Sequence, residues 1–167
     1  MAELTPKERL QPSLLDRLTD DSPETQVESR ERRVLSPSQL RDCVRRDLAW
    51  LLNTTNLEST TSLAEFPEVA ASVLNFGVVD LAGKPISTIN AGQLEKMLRD
   101  CIWAYEPRLV KDSVVVRVAE RKNGHNELSF VIEAQLWAQP LPLQLFLRTE
   151  IDLENGEVTV SDKEGAP

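Results

Sequence analysis

The chain has 167 residues, with 19 Lys or Arg against 27 Asp or Glu and a formal net charge of −8. An acidic chain of this kind is a poor candidate for general nucleic-acid binding, because phosphate affinity comes mostly from Lys and Arg. It has no run of about 18 apolar residues to span a membrane, and its two cysteines make neither a disulfide framework nor a four-cysteine zinc site.

The length fits one domain with a short arm or tail. Met1-Ala-Glu-Leu-Thr-Pro-Lys7 lacks the apolar core of a signal peptide. Charge is spread unevenly: residues 1–53 have a net charge of −1, 54–88 of −3, 89–124 of +2 and 125–167 of −6.

Residues 1–35 read as an arm. Pro12 or Ser13 starts a short predicted helix over about 12–20, with Leu14, Leu15 and Leu18 on its apolar edge. So short a helix is marginal alone in water and must dock on its own domain or on a partner. Residues 20–33 are almost wholly polar and read as a linker.

The domain is expected over 36–161, with a frayed tail at 162–167. Ser36-Pro37 opens a helix, as N-cap and first-turn residue. Its apolar face is Leu40, Cys43, Val44, Leu48, Leu51 and Leu52, and it ends near Asn53-Thr54-Thr55. Phe66-Pro67-Glu68 starts a short helix running through Leu74, stopped at Asn75-Phe76-Gly77. Asp80 to Pro85 is a turn cluster. A second long helix spans about 89–105, with Leu94, Met97, Leu98, Cys101, Ile102 and Tyr105 as its stripe, and Pro107 stops it.

The last third alternates as β-structure does. Val114, Val116 and Val118 share one side of the first strand. Leu128, Phe130, Ile132, Ala134 and Leu136 share one side of the next, and Leu143, Leu145, Leu147, Thr149, Ile151 and Leu153 one side of the third. Asn123-Gly124 and Asn155-Gly156 are hairpin turns, and Gln139-Pro140-Leu141-Pro142 is a connection. The expected architecture is α+β: two main helices on a three- to four-stranded antiparallel meander.

Few residues offer chemistry. His125, the single histidine, sits in a predicted turn without a nucleophile beside it. Cys43 and Cys101 fall on apolar helix faces, where Cys acts as a small hydrophobe. No Gly-rich phosphate loop is present. Glu106-Pro107-Arg108 is the most pointed feature: Pro107 makes Glu106 extended, so Glu106 and Arg108 point to one side. They read either as an ordinary surface ion pair or as a rigid pair recognised by a partner. Glu106 as general acid in glycan cleavage would need a second carboxylate about 5–10 Å away. On the outer sheet face Val115, Val131 and Phe146 stand among Arg117, Glu133, Arg148 and Glu150. They are scattered surface residues or a docking patch beside a strand edge.

Six segments carry a family resemblance: Leu10 to Asp21, Ser29-Arg-Glu31, Leu40 to Thr54, Ser72-Val-Leu-Asn-Phe-Gly77, Tyr105-Glu-Pro-Arg-Leu109 and Arg148 to Gly156. In that order the chain resembles the TssE family of type VI secretion baseplate subunits, and is similar to the phage baseplate wedge protein historically called lysozyme-like. The resemblance implies a non-enzymatic part of a cytoplasmic baseplate, without cofactor. Implied partners are TssF, TssG and TssK, and the sheath proteins TssB and TssC, whose assembly such proteins start by strand exchange. It implies partner-binding roles for Glu106, Pro107 and Arg108. Leu14, Leu15, Arg17 and Leu18 on the arm, and Val115, Val131, Phe146 and Arg148 on the sheet, complete the expected set. The competing expectation is a peptidoglycan hydrolase using Glu106.

Overall fold

The alternation after residue 113 folds as a four-stranded antiparallel meander. It comprises β1 (Val115–Val118), β2 (Glu127–Leu136), β3 (Leu143–Asp152) and β4 (Val158–Asp162), in the order β1-β2-β3-β4. The computed structural model describes residues 13–19, 23–24, 36–83, 85, 89–119, 127–137 and 142–162. The expected turns at 123–124 and 139–141, His125, Pro12 and residues 163–167 lie outside them, as does most of the 20–33 linker. β4 runs through Asp162, one residue past the expected limit.

Period-two burial follows from strand geometry, in which alternate side chains leave opposite faces. Leu128, Phe130, Ile132, Ala134 and Leu136 of β2 are all buried, as are Leu145, Leu147, Thr149 and Ile151 of β3. The register sets Ile132 opposite both Val116 and Leu147, so the apolar sides of the strands form one surface.

Two helices cover that surface. Helix α2 (Pro37–Leu52) opens on a capping box: Gln39 N–H donates to Ser36 Oγ, and Ser36 N–H donates back to Gln39 Oε1. It buries Leu40, Val44, Leu48, Leu51 and Leu52. Helix α4 (Ala91–Tyr105) begins after Asn90, whose side chain accepts from Gln93 N–H, and buries Leu94, Leu98 and Ile102. Met97, Cys101 and Tyr105 are half-buried against the same core. Fully burying one such aliphatic side chain contributes about 1.5–3 kcal/mol, so these stripes hold the two layers together.

The segment between the long helices departs from expectation. Helix α3 spans only Pro67–Ala70, and a separate 3-10 turn holds Val73–Asn75. Ser72 divides them, since its hydroxyl donates to Val69 C=O and accepts from Leu74 N–H. Leu74 is therefore exposed rather than part of a continuous helix. Gly77 then closes the segment with φ +122°, and a Cβ there would stand 2.2 Å from Thr54 O. That approach lets Val78 pair with Thr55 in a parallel bridge.

Both edge strands carry a side-chain cap. At the end of β1, Val118 N–H donates to Glu95 Oε1 of α4. At β4, the Asn53 amide donates to Val158 C=O and accepts from Val158 N–H, each at 2.8 Å. Val160 and Asp162 follow on the same outward side of β4.

Candidate functional site

The site grows from the end of α4. Glu106 is the helix C-cap, with φ −118° and ψ 80°, and its N–H still donates to Ile102 C=O. Pro107 forbids another helical turn. The chain then runs beside the end of β2: Trp137 N–H donates to Arg108 C=O at 2.7 Å, and Val110 N–H donates to Gln135 C=O at 2.9 Å. Glu106-Pro107-Arg108 is thus fixed by backbone on both sides.

Glu106 and Arg108 do point together, but not as a surface pair. Glu106 is only 5% exposed. Its Oε1 accepts from Arg108 Nε at 2.7 Å and from Arg108 N–H at 3.1 Å, and its Oε2 accepts from Arg108 Nη2. The backbone set by Pro107 folds the carboxylate inward, and the arginine follows it to avoid leaving a buried charge alone. The exposed part of the junction is Pro107 with Trp137 beside it.

The guanidinium also reaches across to α2. Arg108 Nη2 donates to Asp47 Oδ2 at 2.6 Å. Asp47 Oδ1 accepts from Arg46, which in turn donates from Nη2 to Asp16 Oδ1 of the arm at 2.7 Å. Acid and base alternate in a ladder Glu106–Arg108–Asp47–Arg46–Asp16 that joins three parts of the chain. Arg46 also lies over the half-exposed ring of Trp50, 5.1 Å from its centroid.

Burial works against the charge on Arg108, but the bonds and charges of Glu106 and Asp47 outweigh it and raise its pKa. Arg46 is shifted the same way, burial being overcome by Asp16 and Asp47. Partial burial would raise Asp16, yet its bonds from Ser13, Arg46 and Cys43 hold it below the ordinary value. Burial and the Asp16 charge push the Cys43 thiol up. Burial alone pushes Cys101 up to about 12. Both shifts disfavour the thiolate, the nucleophilic form.

The arm helix α1 (Leu14–Leu18) is held through polar groups rather than leucines. Ser13 and Asp16 form a capping box, and Asp16 supplies the tether to Arg46. Leu14 and Leu18 are 71% and 74% exposed, and Leu15 and Arg17 are exposed too. The expected apolar edge thus faces away from the domain. On the sheet, Val115 lines up with Glu133 and Phe146, and Arg117 with Val131 and Arg148. The three apolar side chains of these rows are half-buried, while Arg148 is exposed and pairs with Glu150 at 3.0 Å.

Asp47, Arg46 and Asp16 escaped the sequence reading, although one signal was there. Asp47 occupies a slot in the 40, 44, 47, 51 spacing of α2, and an acid in an inward phase needs a partner. Trp50 and Trp137 gave no such sign.

The arrangement does not prepare Glu106 for acid catalysis. A general acid must hold a proton, whereas both Glu106 oxygens accept from Arg108, and the neighbouring carboxylate, Asp47, binds that same arginine. A pocket lined by Leu52, Thr54, Val78, Asp80, Phe130 and Gly156 does not include Glu106. Among the described residues no group of His, Cys, Asp and Glu could hold a metal ion, and no helix is long and apolar enough to cross a membrane.

A two-layer α+β module with large apolar side chains left outside fits the class of proteins that work by docking on others. The chain belongs to the baseplate wedge protein gp25 family, whose model matches residues 38–141. This is the family that includes TssE, and it carries a structural role in the baseplate of a contractile system, in contact with other baseplate or sheath components. The matched segment contains α2 from its second residue, α4, β1, β2 and the whole Glu106–Arg108 junction, and ends before β3. No curated protein and no solved structure matches the chain significantly.

Proposed function

We propose that the chain is the TssE-type subunit of a cytoplasmic type VI secretion baseplate, docked at the inner face of the membrane. It joins the wedge proteins TssF and TssG, with TssK, to the first sheath ring of TssB and TssC. The observation that carries this reading is the Glu106-Pro107-Arg108 junction, held rigid within a segment of the baseplate wedge family. Pro107, with the partly exposed side chain of Arg108 behind it, serves as the wedge contact. The arm of residues 1–35, with Leu14, Leu15, Arg17 and Leu18, adds a second contact beside the 36–161 domain and its 162–167 tail. Val115, Val131, Phe146 and Arg148 form the sheet face for a neighbour, and β4 beyond Val158 offers the edge on which a sheath strand adds.

Charge reversal tests the wedge contact. Arg108→Glu is expected to weaken co-purification with TssF–TssG, in a chain shown by circular dichroism to remain folded. Undiminished co-purification removes the role assigned to Arg108. Assembly of TssB–TssC sheath in cells reports the second function. It is expected to fail when a proline at Val160 blocks pairing along β4.

A further inference from the structure

The segment between α2 and α4 holds none of the contact residues expected from the sequence, yet it leaves large apolar side chains in water. Val73 and Leu74 are 79% and 67% exposed, Phe66 is 56% exposed, and Leu57 is exposed too. Their backbone is nevertheless tightly braced. A 3-10 turn at Leu57–Ser59, helix α3 and the turn at Val73–Asn75 are tied together by the buried side chain of Asn75. Its Oδ1 accepts from Glu58 N–H at 3.0 Å, and its Nδ2 donates to Ala70 C=O at 3.1 Å. Tyr105 Oη donates to Ser72 C=O at 3.0 Å and fixes the group to the end of α4. Folding the apolar side chains inward would break these bonds. Apolar groups held outward on an ordered backbone suit docking, because less freedom is lost when a partner arrives.

The charge around them says what that partner carries. From Asp47 to Gly83 the chain has no Lys or Arg. Glu58 follows Leu57, Glu65 precedes Phe66, and Glu68 lies in α3; all three acids are exposed. Among the described residues none of the three is in an ion pair. An apolar patch with an acidic rim repels nucleic acid and anionic lipid, and a second copy meeting it patch to patch would set like charges together. It favours apolar side chains flanked by Lys or Arg. The backbone here is bent into separate short turns, so it offers no edge for strand addition. A helix can present an apolar and a basic stripe together without one.

The geometry points to a docking surface at Leu57, Phe66, Val73 and Leu74, rimmed by Glu58, Glu65 and Glu68, for a basic amphipathic helix of another protein. It rests on the baseplate reading only for which protein carries that helix.

The test is a titration of the full isolated chain, isotope-labelled for NMR, with a helical peptide of about 18 residues made of leucine and lysine. Its leucines recur at helical spacing, and a second peptide has glutamate in place of lysine. At about 0.15 M salt the lysine peptide is expected to shift amides within residues 57–75 and to bind at least about tenfold more tightly than the glutamate peptide. Val73→Ser and Leu74→Ser, at side chains mostly in water, are each expected to weaken it about tenfold. Reversing Glu65 and Glu68 together to Lys is expected to weaken it about fivefold. Leu14→Ser with Leu18→Ser, in the arm, is expected to leave it unchanged. No saturable binding, shifts centred on the arm or on β4, equal affinity for the two peptides, or full affinity in Leu74→Ser each overturn the proposal. So does a dimer of the free chain in sedimentation that Leu74→Ser dissolves, since the surface would then serve a second copy. No baseplate protein is present, so failure here is distinct from failure of the baseplate reading.

Discussion

The inner sheet face and the Glu106–Asp16 ladder are both buried or half-buried, yet they are held by opposite means. The sheet face relies on apolar area and tolerates exchange of one aliphatic side chain for another of similar volume. The ladder relies on partners meeting atom to atom, and losing one member leaves the others charged and partly dry. The first region is therefore robust in pattern and costly in volume, while the second is sensitive to identity.

The largest effect should come from the apolar side. Phe130 has no exposed area and sits opposite Thr149 in the central pair of strands. Phe130→Ala is expected to lower stability by about 3–5 kcal/mol, measured as a shift of the urea midpoint. A cost near 1 kcal/mol would place the core elsewhere. Glu106→Gln should cost less, about 2 kcal/mol, because Arg108 keeps Asp47 and its side chain is 23% exposed. If this change proves neutral, the ladder does not stabilise the junction, and the contrast between the two regions fails.

The smallest effect is a pH response confined to the arm. The Asp16 carboxyl is held below its ordinary value of 3.8. Its contact therefore contributes fully above 3.8 and fades as pH falls past 3.8 and through the lower folded value. Amide resonances of residues 14–19 are expected to move in that acid window while those of β2 stay fixed. Joint movement of both sets would show that the arm and the sheet unfold as one unit.

This contrast also explains what the sequence could tell. Leu128 to Leu136 could be read as a strand because burial repeats every second residue, a signal carried by neighbours along the chain. Capping at Ser36 and Asn90 is equally local. Glu106 with Arg108 was legible because the two lie two residues apart. Asp47 is 61 residues from Arg108, and Asp16 is 30 from Arg46, so no local spacing links them. The inward turn of Glu106 was missed for a related reason: Pro107 dictates an extended backbone but not which side of it the fold will cover. For the leucines of α1 the sequence leaves own domain and partner both open, because amphipathicity shows that a face seeks apolar company without saying whose.

The paired amide of Asn53 on Val158 gives the sheet a punctuation mark. An added strand needs unoccupied backbone groups, and at Val158 both are taken. Any strand laid along β4 must therefore begin beyond this point, which sets where it starts and removes the slipped alignments that make exposed edges sticky. A residue that ends a helix would thereby fix the origin of a ruler for any strand that the proposed sheath contact lays along this edge.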